Sequence, residues 1–236
     1  MILYLIERVC SIFSIVLFLS PIRDILSLRN AFRLKQRAGN ETIYMFEDVN
    51  LFPFYTMHIT SLFWFSYGIM IGDLTVYIPN GFGYLCTFFY LYSIYIMKQY
   101  ESSRSRRIYL TTLLCFYVLL FGVIGLISSF TDSFDTFKNY FGMACAFFTI
   151  CMFASPLARI KEVLFTRNSK LIPLLLSICQ AINCFAWTFY GFLVLNYNLM
   201  LPNLLGLILT LIALGVKAYV TDWRGHDRYT LLPVTN

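Results

Sequence analysis

Apolar residues run along this chain in long unbroken blocks, with the charged residues gathered between them. Uncharged stretches cover 49–72, 74–97, 108–131, 139–158 and 171–216, each at least as long as the roughly 18–20 residues that a helix needs to cross a bilayer. The last is long enough for two crossings, and Asn196-Tyr197-Asn198 supplies a polar turn between them. A weaker apolar segment over 3–22 carries Glu7 and Arg8 near one end, where they reach the interface or pair with each other. The pattern therefore predicts seven membrane spans. It shows no alternation over ten-residue units, which excludes barrel strands and makes the expected fold all-α. A cleaved signal peptide is disfavoured for the first segment: it has no positive leading region, and Phe18-Leu19-Ser20-Pro21 is a poor cleavage site.

The spans are not seven independent helices. Sliding the chain by 123 positions superposes Trp64 on Trp187, Tyr67 on Tyr190, Gly68 on Gly191, Pro79-Asn80 on Pro202-Asn203 and Gly83 on Gly206. Both copies read Trp-x-x-Tyr-Gly and then Pro-Asn-x-x-Gly in one register, which is the signature of an internal repeat. Leu19-Ser20-Pro21 matches Ala154-Ser155-Pro156 at an offset of 135, so the first copy carries an insertion near 31–45, in a loop, where added length costs little. Three spans per copy leave span four (about 108–130) unmatched. That extra crossing lets both copies insert in the same orientation, and parallel repeats bind substrate between their halves. The expected organisation is a first three-helix repeat over 1–98, with a loop at about 29–47, then a linker helix over 99–134, a second repeat over 135–220 and a tail over 221–236.

Composition agrees with a bilayer, since 59% of residues are hydrophobic and 13% charged against about 25% charged in soluble domains. The net charge of +6 reports topology instead of nucleic-acid binding. Sixteen of the eighteen Lys and Arg residues follow spans one, three, five and seven, and only Arg8 and Lys138 fall on the other side. The positive-inside rule then puts the N-terminus outside and the C-terminus in the cytoplasm, with the plasma membrane the first expectation and an organellar membrane the second. The sequon Asn40-Glu41-Thr42 becomes cytoplasmic and is expected to stay unmodified. All seven cysteines lie in predicted spans and form no metal or disulfide pattern, so no metal and no cofactor is expected.

Catalysis has little to work with: there is no Gly-x-Ser-x-Gly, no His-Glu-x-x-His and no midspan carboxylate. His58 is the one ionisable midspan group, and its expected role is packing. The duplicated polar and aromatic residues are better candidates. Trp64 and Trp187 lie a turn or more inside their spans, each with a polar residue four before it, Thr60 or Asn183, on the same helix face. A flat ring beside hydrogen-bonding groups suits a sugar, and Asn80 and Asn203 can donate and accept as hydroxyls do. Interhelical polar ties are the competing role for such residues. Pro21, Pro53, Pro156 and Pro173 fall at one depth and read as hinges, the alternative being that Pro53 and Pro173 merely start helices.

These motifs resemble the SWEET (MtN3/saliva) sugar transporters over about 200 residues. The likeness rests on Phe18-Leu19-Ser20-Pro21, Pro53-Phe54, Trp64-Phe65-Ser66-Tyr67-Gly68 and Pro79-Asn80-Gly81-Phe82-Gly83, with Ala154-Ser155-Pro156-Leu157, Ile172-Pro173, Asn183 to Gly191 and Leu201 to Gly206 in the second copy. The resemblance implies bidirectional uniport of a mono- or disaccharide by alternating access, with no enzymatic activity. It implies sugar contacts from Trp64, Trp187, Asn80, Asn203, Thr60 and Asn183, and pocket-lining roles for Ser14, Leu17, Thr149 and Met152. The four prolines would be the cytoplasmic hinges. Phe63 and Asn196 stand at positions matched to the family's outer-gate Tyr and Asp. Bulky Leu17 and Met152 favour a monosaccharide. The implied partners are a sugar and the lipid bilayer, without nucleic acid, and a homo-oligomer is left open. A proton-coupled amino-acid exporter of the PQ-loop class would need a midspan carboxylate and Pro-Gln pairs. A retinal protein would need a lysine deep in the last helix, whereas Lys217 stands at its end, and a receptor would show no repeat at 123. The paired midspan polar residues disfavour a scaffold role.

Overall fold

The structure, a computed structural model, describes residues 2–37, 52–98, 103–152, 154–172 and 174–230. These are helical almost throughout: α1 (Ile2–Leu19), α2 (Ile22–Arg37), α3 (Phe52–Ile71), α4 (Leu74–Lys98), α5 (Ser103–Phe130), α6 (Phe134–Met152), α7 (Ala154–Thr166), α8 (Leu174–Leu193) and α9 (Tyr197–Thr230), with a 3₁₀ turn at Ser169–Leu171. Large apolar side chains point outward along them, among them Phe121, Phe130, Phe165 and Leu175. An exposed apolar surface of that extent requires a lipid environment. Among the described residues, five helical stretches, α1–α2, α5, α6–α7, α8 and α9, are long and apolar enough to cross a membrane. The remaining two long helices, α3 and α4, span 20 and 25 residues but are richer in Tyr, Thr, Ser and Gly.

The two chain halves pack alike. Helix α4 lies against α3 and α1, and α9 lies against α8 and α6; across the halves, α1 meets α8 and α3 meets α6, while α5 touches α3, α4 and α6. Each α3–α4 and α8–α9 junction is a tight turn. Gly72 (φ 70), just past the end of α3, and Leu195 (φ 54), two residues past the end of α8, adopt the left-handed conformation that closes helices. The next residue, Asp73 or Asn196, caps the following helix: Thr75 N donates to Asp73 Oδ1 at 2.9 Å and Leu199 N to Asn196 Oδ1 at 3.3 Å, as expected for the best N-cap residue types. Gly68 and Gly191 permit the close crossing. A methyl group at Gly68 would stand 2.6 Å from the Tyr77 backbone nitrogen, and one at Gly191 2.8 Å from that of Met200.

The first helix of the first half breaks at its Ser-Pro pair: α1 gives way to α2 through a turn at Ser20-Pro21. In the second half, α6 and α7 flank residue 153, which lies outside the described residues, and Pro156 falls within α7. The loop expected over 29–47 is helical as far as Arg37. Asp24 sits in the first turn of α2, where it complements the helix dipole, and Ile25 and Phe32, seven residues apart, are buried beside Tyr90, Leu91 and Ile94 of α4. Amphipathic packing thus turned a basic loop segment into a helix. The rest of that loop, with Asn40, lies outside the described residues, as do Pro173 and the end of the tail.

Candidate functional site

Six helices, α1, α3, α4, α6, α8 and α9, enclose a central cavity of about 220 Å³. All ten residues singled out for substrate contact line it: Ser14, Leu17, Thr60, Trp64, Asn80, Thr149, Met152, Asn183, Trp187 and Asn203. Residues up to 189 positions apart in the chain therefore share one wall, because the two halves face each other across α1–α8 and α3–α6.

The polar groups of this cavity repeat as cross-half pairs. Trp64 Nε1 donates to Thr149 Oγ1 at 2.9 Å, and Trp187 Nε1 donates to Ser14 Oγ at 2.9 Å. Each indole is thus held by a hydroxyl from the first helix of the other half. Ser14 Oγ donates onward to Asn183 Oδ1 at 2.9 Å, whereas Thr60, the counterpart of Asn183, donates to the Met152 sulfur at 2.9 Å. Asn80 Nδ2 donates to the Val76 carbonyl at 2.7 Å and Asn203 Nδ2 to that of Leu199 at 2.8 Å. Each Asn follows a proline that lacks an N–H and crowds the preceding turn. One N–H of each amide is spent locally, which leaves its carbonyl oxygen and second N–H for a ligand.

Three residues beyond each cavity tryptophan on its helix stands a tyrosine that bonds to the other half. Tyr190 OH donates to Asp73 Oδ2 at 2.7 Å, and Asn196 Nδ2 donates to Tyr67 OH at 2.9 Å. These are again repeat-equivalent pairs that cross between halves. Each tyrosine also packs edge-on against the cavity tryptophan one turn away, Trp64–Tyr67 at 5.6 Å and Trp187–Tyr190 at 5.8 Å between ring centroids. Of the two positions matched to the family's outer gate, Asn196 takes part in these pairs and Phe63 does not. Phe63 is fully buried, stacked on Phe141 and tilted against Phe148, because an apolar ring gains more from that cluster than from an amide. The sequence held the better signal in Tyr67 and Tyr190, both inside the repeated Trp-x-x-Tyr-Gly motif.

A second cavity of about 490 Å³ reaches Ser20, Pro53, Arg159 and Thr210. Pro21 stands at the α1–α2 break, next in sequence to Ser20, and Pro156 lies within α7. His58 is not part of either cavity. Thr87 Oγ1 donates to the Gly83 carbonyl, so it accepts from His58 Nδ1–H at 3.0 Å, and Nε2 accepts from Tyr117 OH at 2.7 Å. Both ring nitrogens are satisfied by hydroxyls on α4 and α5, as a packing histidine requires. Lys217 donates to the Ser169 carbonyl at 2.8 Å, away from the central cavity. The cavity residues missing from the sequence reading are chiefly Met57, Ser61, Gln180 and Cys184, which lack a same-type partner in the other copy.

The profile of a family described as "Sugar efflux transporter for intercellular exchange" matches residues 4–102 and 139–221. The chain is 29% identical to Sugar transporter SWEET1 of Mus musculus, over 72% of this chain and 75% of the relative. It is 28% identical to Bidirectional sugar transporter SWEET16 of Arabidopsis thaliana, over 89% and 85%. The solved structure of a eukaryotic SWEET transporter superposes with a TM-score of 0.74 at 26% identity, covering 93% of this chain and 97% of that one.

Proposed function

Because the chain belongs to the SWEET (MtN3/saliva) family of sugar transporters, which are not enzymes, we propose that it carries a monosaccharide down its gradient through the central cavity by alternating access. The observation that carries this reading is the convergence of two Trp, two Asn and their hydroxyl partners, in pseudo-symmetric pairs, on one cavity between the halves. The indole faces offer stacking surface for the C–H side of a sugar ring, and the Asn amides offer both a donor and an acceptor to each hydroxyl. At about 220 Å³, the chamber falls below the roughly 300–1,000 Å³ usual for ligand pockets, which favours one sugar ring over two.

Transport follows from the two ends of the cavity. Seven spans arranged as two parallel three-helix bundles around α5 would place the N-terminus outside, with the Tyr–Asp and Tyr–Asn pairs as the outer closure. The cavity by Pro53 would then face the cytoplasm. Pro21, Pro53, Pro156 and Pro173 act in this reading as the inner hinges. A sugar that stacks on Trp64 and Trp187 presses on rings packed against Tyr67 and Tyr190, so occupancy and outer closure are coupled through direct contact. The lack of a midspan carboxylate supports uniport without ion coupling.

Uptake of labelled hexoses, sucrose and amino acids into liposomes bearing the purified protein, with and without a pH gradient, tests the reading. Hexose should equilibrate and not accumulate, at rates insensitive to an uncoupler. Accumulation abolished by the uncoupler, or transport of amino acids only, would overturn it.

A further inference from the structure

Four residues line both the central cavity and the larger cavity beyond it: Leu17, Met57, Met152 and Gln180. They come from α1, α3, α6 and α8 and form two repeat-equivalent pairs, Leu17 with Met152 at the 135 offset and Met57 with Gln180 at the 123 offset. They are therefore a ring at the junction of the two chambers. Three members are apolar, and the two methionines are unbranched and adaptable. Only Gln180 offers a hydroxyl both a strong donor and a strong acceptor; the Met152 sulfur is a weak acceptor that already takes the Thr60 hydroxyl.

A sugar crossing this ring must give up hydroxyl partners in the chamber and pass apolar side chains, where an unmade hydrogen bond is costly. Gln180 sits three residues before Asn183 on α8, one turn away on the same face. Among the described residues its amide makes one hydrogen bond, from Nε2 to the Cys184 sulfur at 3.2 Å. Sulfur is a weak acceptor, so the carbonyl oxygen and an N–H remain available. We propose that Gln180 is the hydroxyl-relay residue of this neck: it takes a sugar hydroxyl from Asn183 and sets the rate at which sugar passes between the chambers, while the Met57 face contributes only shape. The proposal rests on the sugar-transport reading above, and it assigns Gln180 to passage and not to the affinity of the chamber.

The pseudo-symmetry supplies the test. Gln180→Met removes the amide, keeps side-chain length and makes the ring Met-to-Met symmetric; adding Met57→Gln returns one amide on the opposite face. Equilibrium binding of radiolabelled D-glucose to solubilised protein and its exchange across liposomes are measured per folded, inserted molecule. For Gln180→Met, binding should stay within about twofold of wild type while exchange falls at least about tenfold, and the double variant should recover most of the exchange. Wild-type exchange in Gln180→Met, a parallel fall in binding and exchange, or no recovery in the double variant would overturn the relay. If the wild-type protein itself neither binds nor moves D-glucose, the underlying sugar reading fails instead, a result distinguishable from all three.

Discussion

The Tyr190–Asp73 and Tyr67–Asn196 pairs are alike in geometry and unlike in charge, and that difference has a measurable consequence. Tyr190 donates to a carboxylate that also caps α4, whereas Tyr67 accepts from a neutral amide that caps α9. Hydrogen bonds to charged groups contribute about 1.5–3 kcal/mol, neutral ones about 0.5–1.5. Tyr190→Phe also leaves one Asp73 oxygen without its partner, so it should loosen the contact between the halves at this end more than Tyr67→Phe does. Spin labels at the exposed positions 69 and 192, near the ends of α3 and α8, report the opening. Both variants should shift distances toward a wider population, Tyr190→Phe the more; unchanged distributions in both would show that the pairs do not hold that end shut.

Among elements, the α3–α4 and α8–α9 crossings set the spacing of the cavity, and glycine sets the crossings. Gly68→Ala places its methyl against backbone, which cannot rotate away, and such overpacking costs about 1–3 kcal/mol. Gly122→Ala and Gly125→Ala on α5, with open space around each, are the controls and should be neutral or slightly stabilising, since Ala favours helix over Gly. Thermal unfolding in detergent should show a lowered midpoint for Gly68→Ala alone. The sequence made these crossings visible as the duplicated Tyr-Gly, but it hid α2. Its basic residues read as loop until Ile25 and Phe32 met α4, a tertiary gain that local polarity does not reveal. The polar composition of α3 and α4 has the opposite cause: lining the interior, they carry the Trp, Tyr, Thr and Asn that depress hydropathy, and the absence of charge marked them better than apolarity did.

On the scale of the whole molecule, the internal repeat was the most legible feature, because two copies of one chemistry facing each other make a single pocket whatever the details of packing. All ten expected cavity residues meet there. What duplication could not reveal was asymmetry: Gln180 against Met57 and Asp73 against Asn196 carry different chemistry at equivalent positions, and only the contacts between halves give them a role. The most direct test is hexose uptake, normalised to properly inserted protein, by Asn80→Ala, Asn203→Ala and the double variant. Each single change removes one amide from a desolvated chamber, a loss of about 1–3 kcal/mol, and should weaken sugar affinity roughly five- to hundredfold, with the double variant weaker still. Wild-type affinity and uptake in all three, with expression alone reduced, would mean that the two Asn residues tie helices together and that sugar passes elsewhere.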